Sequence, residues 1–386
     1  MKNINKINTS VSIVDTQIQL INVVELLNKI ECQNNYLIVG GFSPPRIEQI
    51  KLLLKEESIH SKFKTVYFMQ IRQSNSRLFS LLNSFYSLVS ISIILFLHKN
   101  LNIGVIGNYL SPAHRYFQYI CNKISENIVH FVVDDGANAI GIATLRIDEI
   151  NQGKSKITLN TISSYIMYHF FLIKKNFVPP KITFFSIYNM AYVTPDNLIV
   201  NDCNYIRNNA LAKINIEQDS IVIVGQCLVV NNAMTKADYI KYINYIISIN
   251  YNKRIYYFPH PAEKCDVKDF KSNINIVSNS YPIEIALISS PDSIKIFGLY
   301  SSALYSIKRM KKETEVNALI INPVDILSPR LVPILENVYK SFEEIGIQLI
   351  PMPARVVLKS EGNESLKWRH SRNAEKFALD ANLNKE

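Results

Sequence analysis

Glycine is scarce in this sequence, which holds 11 glycines among its 386 residues, less than half of the usual ~7%. The glycines form neither a G-x-G-x-x-G pattern nor a P-loop, so the common glycine-rich phosphate loops are excluded. Cysteine is scattered as well, with no C-x-x-C pair among Cys32, Cys121, Cys203, Cys227 and Cys265. An odd, dispersed set argues against a disulfide framework or a structural zinc site and favours a reducing cytoplasm.

A secretion signal is also missing, because residues 1–17 contain no continuous apolar segment. One long apolar run, 78–97, has the length needed to cross a bilayer. Its polar residues, however, fall on one helical stripe: Ser80, Asn83, Ser84, Ser87 and Ser90. This periodicity favours a helix buried against a sheet over a membrane span.

What is present is an ordinary globular composition, with 48% hydrophobic and 19% charged residues. It excludes a disordered chain, a collagen and a coiled-coil array. At about 150 residues per domain, the length predicts two or three domains. Lysine and arginine outnumber aspartate and glutamate by 42 to 32, an excess of 10. This excess favours anionic partners: phosphorylated ligands, acidic glycans, lipid head groups or nucleic acid.

Short β-branched runs alternate with amphipathic helical stretches in both halves of the sequence. The predicted strands are 35–41, 64–71, 102–109, 128–135, 181–188, 220–230, 253–261, 274–277, 293–300 and 318–323. The predicted helices are 43–57, 78–97, 111–124, 162–174, 235–250, 282–290, one that starts at Ser301, and 331–345. This order predicts parallel sheets covered on both faces, and therefore the α/β class.

Two α/β halves in tandem predict two Rossmann-like domains that face each other across a cleft. We expect an N-terminal domain over 1–210, with the approach to a linker at 194–209, and a C-terminal domain over 211–352. Residues 353–386 form a predicted tail or terminal helix. Its segment 364–376 combines the sole tryptophan, Trp368, with basic residues, so it packs back on the first domain or touches an anionic surface.

Ligands of open α/β sheets bind at the carboxyl ends of the strands, and an acidic pair and a histidine follow predicted strands there. Asp134 and Asp135 precede Gly136, and such a pair is a base, a metal site or an ordinary acidic turn. His260 stands between Pro259 and Pro261. The prolines restrict its backbone, so the imidazole is oriented in advance to bind a phosphate, or it is only structural.

A third group, Ser301 and Ser302, opens a predicted helix after the strand 293–300. Two hydroxyls at a helix N-terminus suit a phosphate, although helix capping alone explains serine at this position. Taken together, the three groups predict a carboxylate pair in one domain that faces a histidine and two serines in the other. This arrangement activates a hydroxyl on one side and holds a nucleotide phosphate on the other.

With these motifs in this order, the sequence resembles the bacterial sialyltransferases, whose motifs are D/E-D/E-G, HP and S-S/T. The matching segments are VVDDGANAI (132–140), YFPHPAE (257–263) and GLYSSALYSI (298–307), and YPIEIALI (281–288) resembles the P-x-E element. The resemblance is strongest to the lipooligosaccharide sialyltransferases, and the capsular polysialyltransferases are near relatives. The motifs span about 175 residues, and the domain pattern extends the resemblance over most of the chain.

The resemblance implies a GT-B fold and an inverting, metal-independent transfer of sialic acid from CMP-sialic acid, without a cofactor. A carboxylate of the acidic motif takes the proton from the acceptor hydroxyl. We assign Asp135 as this base and Asp134 as the group that orients it or binds substrate, and the reverse assignment stays open. His260 protonates or hydrogen-bonds the departing CMP phosphate.

The remaining implied contacts surround the donor and the acceptor. Ser301 and Ser302 bind the phosphate, Pro261 completes the HP motif, and Glu284 accepts hydrogen bonds from the ribose. Gly225 lets the backbone approach the cytosine or the sugar. The segment 108–117 lines the cleft, and its acceptor or carboxylate contacts are Asn108, Ser111 and Arg115. His114 is given no catalytic role.

Partner identity stays open at this stage. The preferred acceptor is a terminal galactose of lipooligosaccharide; the alternatives are growing capsular polysialic acid or transfer from another sugar nucleotide. A non-catalytic protein that binds nucleotides or acidic glycans is the rival of another class. The basic residues are dispersed and no nucleic-acid motif is present, which argues against nucleic acid. We expect a bacterial cytoplasmic protein, free or at the inner face of an anionic membrane, and the oligomeric state stays open.

Overall fold

The computed structural model places two parallel β-sheets in one compact unit, Met1–Met352. It describes residues 9–30, 32–40, 44–69, 77–98, 100–125, 127–135, 138–153, 177–179, 181–188, 196–209, 214–263, 267–270, 274–277 and 281–353. The predicted helix 162–174 and the tail beyond Pro353 lie outside these residues. The predicted domain boundaries stay predictions.

The first sheet contains seven parallel strands in the order β3-β2-β1-β4-β5-β6-β7. They are β1 (Thr9–Val14), β2 (Asn34–Val39), β3 (Thr65–Phe68), β4 (Leu101–Ile106), β5 (Val129–Val133), β6 (Ile182–Ser186) and β7 (Asn197–Val200). Its described helices are α1 (Gln17–Ile30), α2 (Pro44–Leu53), α3 (Glu57–His60), α4 (Arg77–Leu97), α5 (Pro112–Ile124), α6 (Asn138–Gln152) and α7 (Asn204–Asn209).

The second sheet contains six parallel strands in the order β10-β9-β8-β11-β12-β13. They are β8 (Ile221–Val224), β9 (Ile255–Phe258), β10 (Asn275–Ile276), β11 (Lys295–Gly298), β12 (Glu315–Ile320) and β13 (Gln348–Pro351). Its described α-helices are α8 (Lys236–Ile249), α9 (Ile283–Ala286), α10 (Ser302–Met310) and α11 (Val332–Glu344). Short 3₁₀ turns lie at Val267–Asp269, Pro323–Asp325 and Pro329–Leu331.

Both sheets have the doubly wound order, in which the chain moves outward from a central strand, returns and continues on the other side. The strands β8 and β9 read IVIV and IYYF and are buried at every position, as expected for parallel strands covered on both faces. The predicted α/β class and the GT-B architecture of two Rossmann-like halves are confirmed.

Several elements escaped the sequence analysis, and β1 with α1 matters most. β1 is the third strand of the first sheet and pairs with both β2 and β4, so the end of this strand lies at the topological switch point. β7 lies in the stretch that we interpreted as the approach to a linker, yet it pairs with β6. The helix α6 and the edge strand β13 were also missed. The predicted helix 282–290 is shorter than expected, because α9 covers only Ile283–Ala286.

The apolar run 78–97 forms the helix α4, as predicted. Ser84 and Ser87 are buried together with apolar residues such as Ile91, whereas Phe96 and Leu97 are exposed. The side chains of Ser84 and Ser87 therefore face the protein rather than solvent. Within the described residues, no helix is long and apolar enough to cross a membrane.

Among the described residues, Cys32, Cys121, Cys203 and Cys227 form no disulfide bond. The predicted reducing environment stays a prediction. Cys265 lies outside the described residues.

Candidate active site

A cavity of about 210 Å³ lies between the two halves of the chain. The first half contributes residues that follow β1, β5 and β6, and the second half contributes residues of α9 and α10. The lining residues are Thr16, Ile18, Asn22, Asp134, Asp135, Ile187, Tyr188, Glu284, Ser302, Ser306 and Met310. The cavity thus brings together four residues that the sequence singled out: Asp134, Asp135, Glu284 and Ser302.

Asp134 is the buried member of the acidic pair. Its Oδ2 accepts a hydrogen bond of 2.7 Å from the backbone N–H of Ile187, and its carbonyl oxygen accepts one of 3.1 Å from Asn22. Burial raises the pKa of Asp134 to about 7, against the opposing effect of the hydrogen bonds from Ser186 and Ile187. Asp134 therefore anchors the end of β5 to the end of β6.

Asp135 is less enclosed and faces the same cavity. Burial also raises its pKa, and the side chains of Gln19 and His114 oppose that rise. A carboxylate with a raised pKa is a stronger base than a free one and can still reach a ligand. The two aspartates thus occupy different environments, one fixed by backbone contacts and the other open to the cavity.

A second acidic residue, Asp15, lies beside this pair and was not found from the sequence. Its Oδ2 is 3.0 Å from Nε2 of the fully buried His114. Burial alone would raise the pKa of Asp15, but the contacts with His114 and the charge of Arg46 outweigh it and the net shift is downward. Nδ1 of His114 accepts the backbone N–H of Asn108 at 3.0 Å, so the ring proton lies on Nε2 and faces Asp15.

The HP motif follows β9, as predicted, but it lies outside the wall of the cavity. Nδ1 of His260 accepts the backbone N–H of Ala262 at 3.1 Å, which leaves Nε2 as the ring N–H donor. Partial burial of the ring and the charge of Arg46 lower the pKa of His260, so the ring is neutral at pH 7. Pro261 is exposed, and Sγ of Cys227 lies 3.9 Å from Nε2.

A buried network fixes the loop that carries this histidine. Glu263 accepts the backbone N–H of His260 at 2.9 Å and the hydroxyl hydrogen of Tyr257. Tyr257 lies 3.1 Å from the hydroxyl of Tyr239. The residue that the sequence analysis missed here is Glu263, although it stands within the quoted segment YFPHPAE.

The two serines occupy the start of α10. Ser301 is the N-cap, and its Oγ accepts the backbone N–H of Ala303 at 3.3 Å. Capping uses one acceptor site of this hydroxyl and leaves its hydrogen free to donate. Ser302 lies in the first turn and lines the cavity. Glu284, on α9, lines the same cavity, and burial raises its pKa.

Arg115 lies away from the wall of the cavity, and its predicted acceptor contact stays a prediction. Its guanidinium is 2% exposed and makes two hydrogen bonds of 2.9 Å to the carboxylate of Glu149, which also accepts one of 2.6 Å from Tyr109. The sequence correctly predicted that Arg115 lies on the helix after β4, which is α5. The structure shows that its side chain is on the inner face of this helix. Ser111 is buried as well, and Asn108 uses its Oδ1 to accept the backbone N–H of Leu110. Neither of them lines the cavity.

Gly225 ends β8, as predicted, but its neighbourhood is already full. A Cβ at this position would overlap the carboxylate of Glu263 and would lie 2.9 Å from the carbonyl oxygen of Phe258. The missing side chain therefore makes room for Glu263. A contact of Gly225 with the donor stays a prediction.

Within the described part of the chain, no three acidic, histidine or cysteine side chains are grouped to hold a metal ion. This observation does not test the predicted independence of metal and cofactor, which stays a prediction.

The sequence model of glycosyltransferase family 52 matches residues 48–322, a stretch that starts in α2 and ends just after β12. It includes the acidic pair, the HP motif, Glu284 and both serines. No curated protein matches the chain.

Several solved structures match at low identity. The α/β-galactoside α-2,3-sialyltransferase of the luminous marine bacterium Photobacterium phosphoreum is 14% identical, with a TM-score of 0.48 over 89% of this chain and 99% of its own. The UDP-GlcNAc 2-epimerase of Methanocaldococcus jannaschii is also 14% identical, with a TM-score of 0.48 over 87% and 92%. The epimerase of Neisseria meningitidis is 11% identical, with a TM-score of 0.49 over 87% and 91%. Such similarity does not transfer a function.

Proposed function

Because this chain belongs to glycosyltransferase family 52, we propose that it is an inverting sialyltransferase that uses CMP-sialic acid as donor. The observation that carries the proposal is the cavity between the two halves. Asp135 from the first half and Ser302 from the second half line the same space. A base for the acceptor and a phosphate ligand for the donor are therefore close to one sugar-sized volume.

On the acceptor side, we assign Asp135 as the base. Its carboxylate takes the proton of the acceptor hydroxyl while the acceptor oxygen bonds to the anomeric carbon. Asp134 suits this task less well, because its Oδ2 is engaged by the backbone N–H of Ile187. We assign Asp134 as the residue that holds the end of β5 in position for Asp135.

On the donor side, the bond between the anomeric carbon and the phosphate oxygen breaks, and its electron pair stays with CMP. We propose that Nε2–H of His260 donates a hydrogen bond to this phosphate. Its lowered pKa favours hydrogen bonding by a neutral ring over full proton transfer. Ser301, Ser302 and the N-terminus of α10 supply further donors, and Glu284 accepts from the ribose hydroxyls.

The size of the cavity supports this division. At about 210 Å³ it is smaller than the ~300 Å³ at which pockets for whole drug-sized ligands begin. It has room for about one sugar, and Glu284 and Ser302 in its wall mark the side from which we propose that the nucleotide extends towards His260. The acceptor that we propose first is a terminal galactose of lipooligosaccharide; oligosialic acid is the second. We further propose that the enzyme works in the bacterial cytoplasm, at the inner membrane face where such acceptors are assembled.

The test is a transfer assay with CMP-sialic acid and two separate acceptors, a galactoside and an oligosialic acid. We expect transfer to the galactoside, and a loss of kcat by at least about 100-fold in Asp135→Asn, since general-base catalysis contributes about 10²–10⁴. CMP affinity should be retained, because Asp135 is on the acceptor side. The matched control is Asp148→Asn, which changes an exposed carboxylate on α6.

The outcomes separate the alternatives. Transfer only to oligosialic acid would indicate a polysialyltransferase, and turnover of another sugar nucleotide alone would refute the sialyl assignment. Binding of CMP or an acidic glycan without any turnover would favour the non-catalytic rival. Wild-type kcat in Asp135→Asn would refute the role of Asp135 as base.

A further inference from the structure

Tyr188 lies two residues after β6, in the wall of the cavity between the halves. Its side chain is 3% exposed, and its ring stacks on that of Tyr305 from α10, with centroids 4.5 Å apart and planes inclined by 26°. Its backbone N–H donates to Oγ of Ser186 at 2.9 Å. The first half thus holds the backbone of Tyr188, and the second half holds its ring.

The hydroxyl of Tyr188 has no hydrogen-bond partner among the described residues. A buried tyrosine hydroxyl normally finds a partner, because an unpaired one loses its bonds to water without replacement. Tyr188 lines the cavity together with Asp134 and Glu284, and the charges of both carboxyl groups act on its hydroxyl. An unpaired donor in the wall of a ligand-sized space indicates that a ligand supplies the missing partner.

The chemistry of the site defines what this partner is. Burial, with the charges of Asp134 and Glu284 nearby, raises the pKa of Tyr188 well above its usual range. The phenol therefore stays protonated and acts as a neutral donor. Its ligand must offer an oxygen acceptor in the cavity that Asp135, the proposed base, and Ser302, the proposed phosphate ligand, also line. In a sugar nucleotide, the part that lies between these two groups is the transferred sugar.

We infer that Tyr188 contacts the transferred sugar of the donor and donates a hydrogen bond from its hydroxyl to a sugar oxygen. The inference rests on the proposed function, because that function defines which part of the ligand fills the cavity. It adds a contact to the sugar itself, whereas His260, Ser301 and Glu284 are assigned to the nucleotide. Tyr188 is on this view a donor-sugar specificity residue.

The test is Tyr188→Phe, which removes only the hydroxyl and keeps the ring against Tyr305. We expect kcat/KM for the sugar nucleotide to fall about 10- to 100-fold, as for the loss of one hydrogen bond in an enclosed site. Affinity for CMP alone, measured by calorimetry, should stay within about twofold of wild type. The melting temperature should be unchanged or higher by up to about 3 °C, since an unpaired buried group is removed.

Tyr305→Phe is the matched control, because it removes the other hydroxyl of the stacked pair, and its kcat/KM should stay within about twofold of wild type. Wild-type kcat/KM in Tyr188→Phe would overturn the inference. So would a loss of activity accompanied by a lower melting temperature or weaker CMP binding, which would indicate a structural role. If the wild type turns over a sugar nucleotide other than CMP-sialic acid, the proposed function fails. The kcat/KM values of Tyr188→Phe and Tyr305→Phe are then compared on that substrate, and the binding control uses the nucleotide of that substrate in place of CMP.

Discussion

Substitution of Gly225 by alanine tests why a glycine directly follows β8. The added Cβ would overlap the carboxylate of Glu263 and lie 2.9 Å from both the carbonyl oxygen of Phe258 and the hydroxyl of Tyr257. Close carbon–oxygen contacts have a separation of ~3.3–3.6 Å, so these two distances are short by about 0.5 Å. Phe258 lies in β9, where its carbonyl oxygen accepts the N–H of Gly225 at 2.8 Å, and it cannot move away without breaking that bond.

Overpacking of this kind costs about 1–3 kcal/mol, and the rigid carbonyl places Gly225→Ala near the upper end. We expect the melting temperature to fall by roughly 3–4 °C, as measured by calorimetry. The affinity for CMP should fall with it, because a displaced Glu263 no longer fixes the backbone of His260. The matched control is Gly141→Ala on α6, where a Cβ meets nothing within 4 Å. At this position, alanine should raise the free energy of unfolding by about 0.5–1 kcal/mol.

Two results would contradict this reasoning. A wild-type melting temperature with weaker CMP binding would mean that the glycine serves ligand approach, as the sequence first suggested. No change in either quantity would mean that the space near Gly225 is less restricted than the structure indicates. The double variant with Glu263→Ala separates the clashes, because it should lose less stability than the sum of the two single variants if Glu263 is the main obstacle.

Three further predictions concern charged and titrating groups. The pKa of Asp134 is raised by burial to about 7, so its contribution to stability is full below the unfolded pKa near 4 and is lost as pH rises through 7. The melting temperature of Asp134→Asn relative to wild type should therefore increase between pH 5 and pH 8. A difference in melting temperature that stays constant over this range would contradict the raised pKa. If His260 acts as a neutral hydrogen-bond donor, His260→Asn should retain at least about 10-fold more kcat/KM than His260→Ala in the transfer assay, whereas equal losses would favour proton transfer. Arg115→Ala should lower the free energy of unfolding by about 3–5 kcal/mol in urea denaturation, because it removes the ion-pair partner of the buried Glu149; a stable variant with a raised acceptor KM would support the predicted acceptor contact.

The sequence alone was sufficient to predict the fold class, and it singled out four residues that line the cavity: Asp134, Asp135, Glu284 and Ser302. Buried parallel strands read as continuous apolar runs, so β8, β9 and β11 were recognisable without a structure. Residues that follow such strands lie at the carboxyl edge of their own sheet, and the acidic pair of the first half and Ser302 of the second half line one cavity. Spacing along the chain cannot tell which face of α5 turns inward, so the burial of Arg115 against Glu149 could not be predicted.

The roles of Tyr188 and Glu263 could not be predicted from the sequence for a different reason. Each derives its role from partners distant in the chain: Tyr188 stacks on Tyr305, and Glu263 fills the space that Gly225 leaves. Tyrosine and glutamate are common at such positions, and no local spacing distinguishes these two from others. A strand signal was present at SVSIV, before the amphipathic α1, and it would have located the neighbouring Asp15.

The position of the cavity follows from how the first sheet is filled. In a doubly wound sheet the crevice at the switch point, here between β1 and β4, is the usual ligand site. In this chain its own side chains occupy that crevice. Gln19 covers Gly107 so closely that a Cβ there would overlap it, and its Oε1 accepts the backbone N–H of Asp15 at 2.7 Å. The buried ring of His114 bridges Asp15 and the backbone of Asn108.

A space for a ligand lies beyond the ends of β5 and β6, against α9 and α10 of the second half. The two halves share its wall, because Asp135 and Tyr188 follow strands of the first sheet, whereas Glu284 and Ser302 lie on helices of the second half. In the proposed function, the second half supplies the groups for the nucleotide and the first half supplies the base. Gln19 and His114, which fill the crevice, also fix the nearby carboxylates. The proposed base is therefore held by the same side chains that exclude a ligand from the switch point. In the proposed function, the chemistry thus depends on the contact between the two halves rather than on either sheet alone.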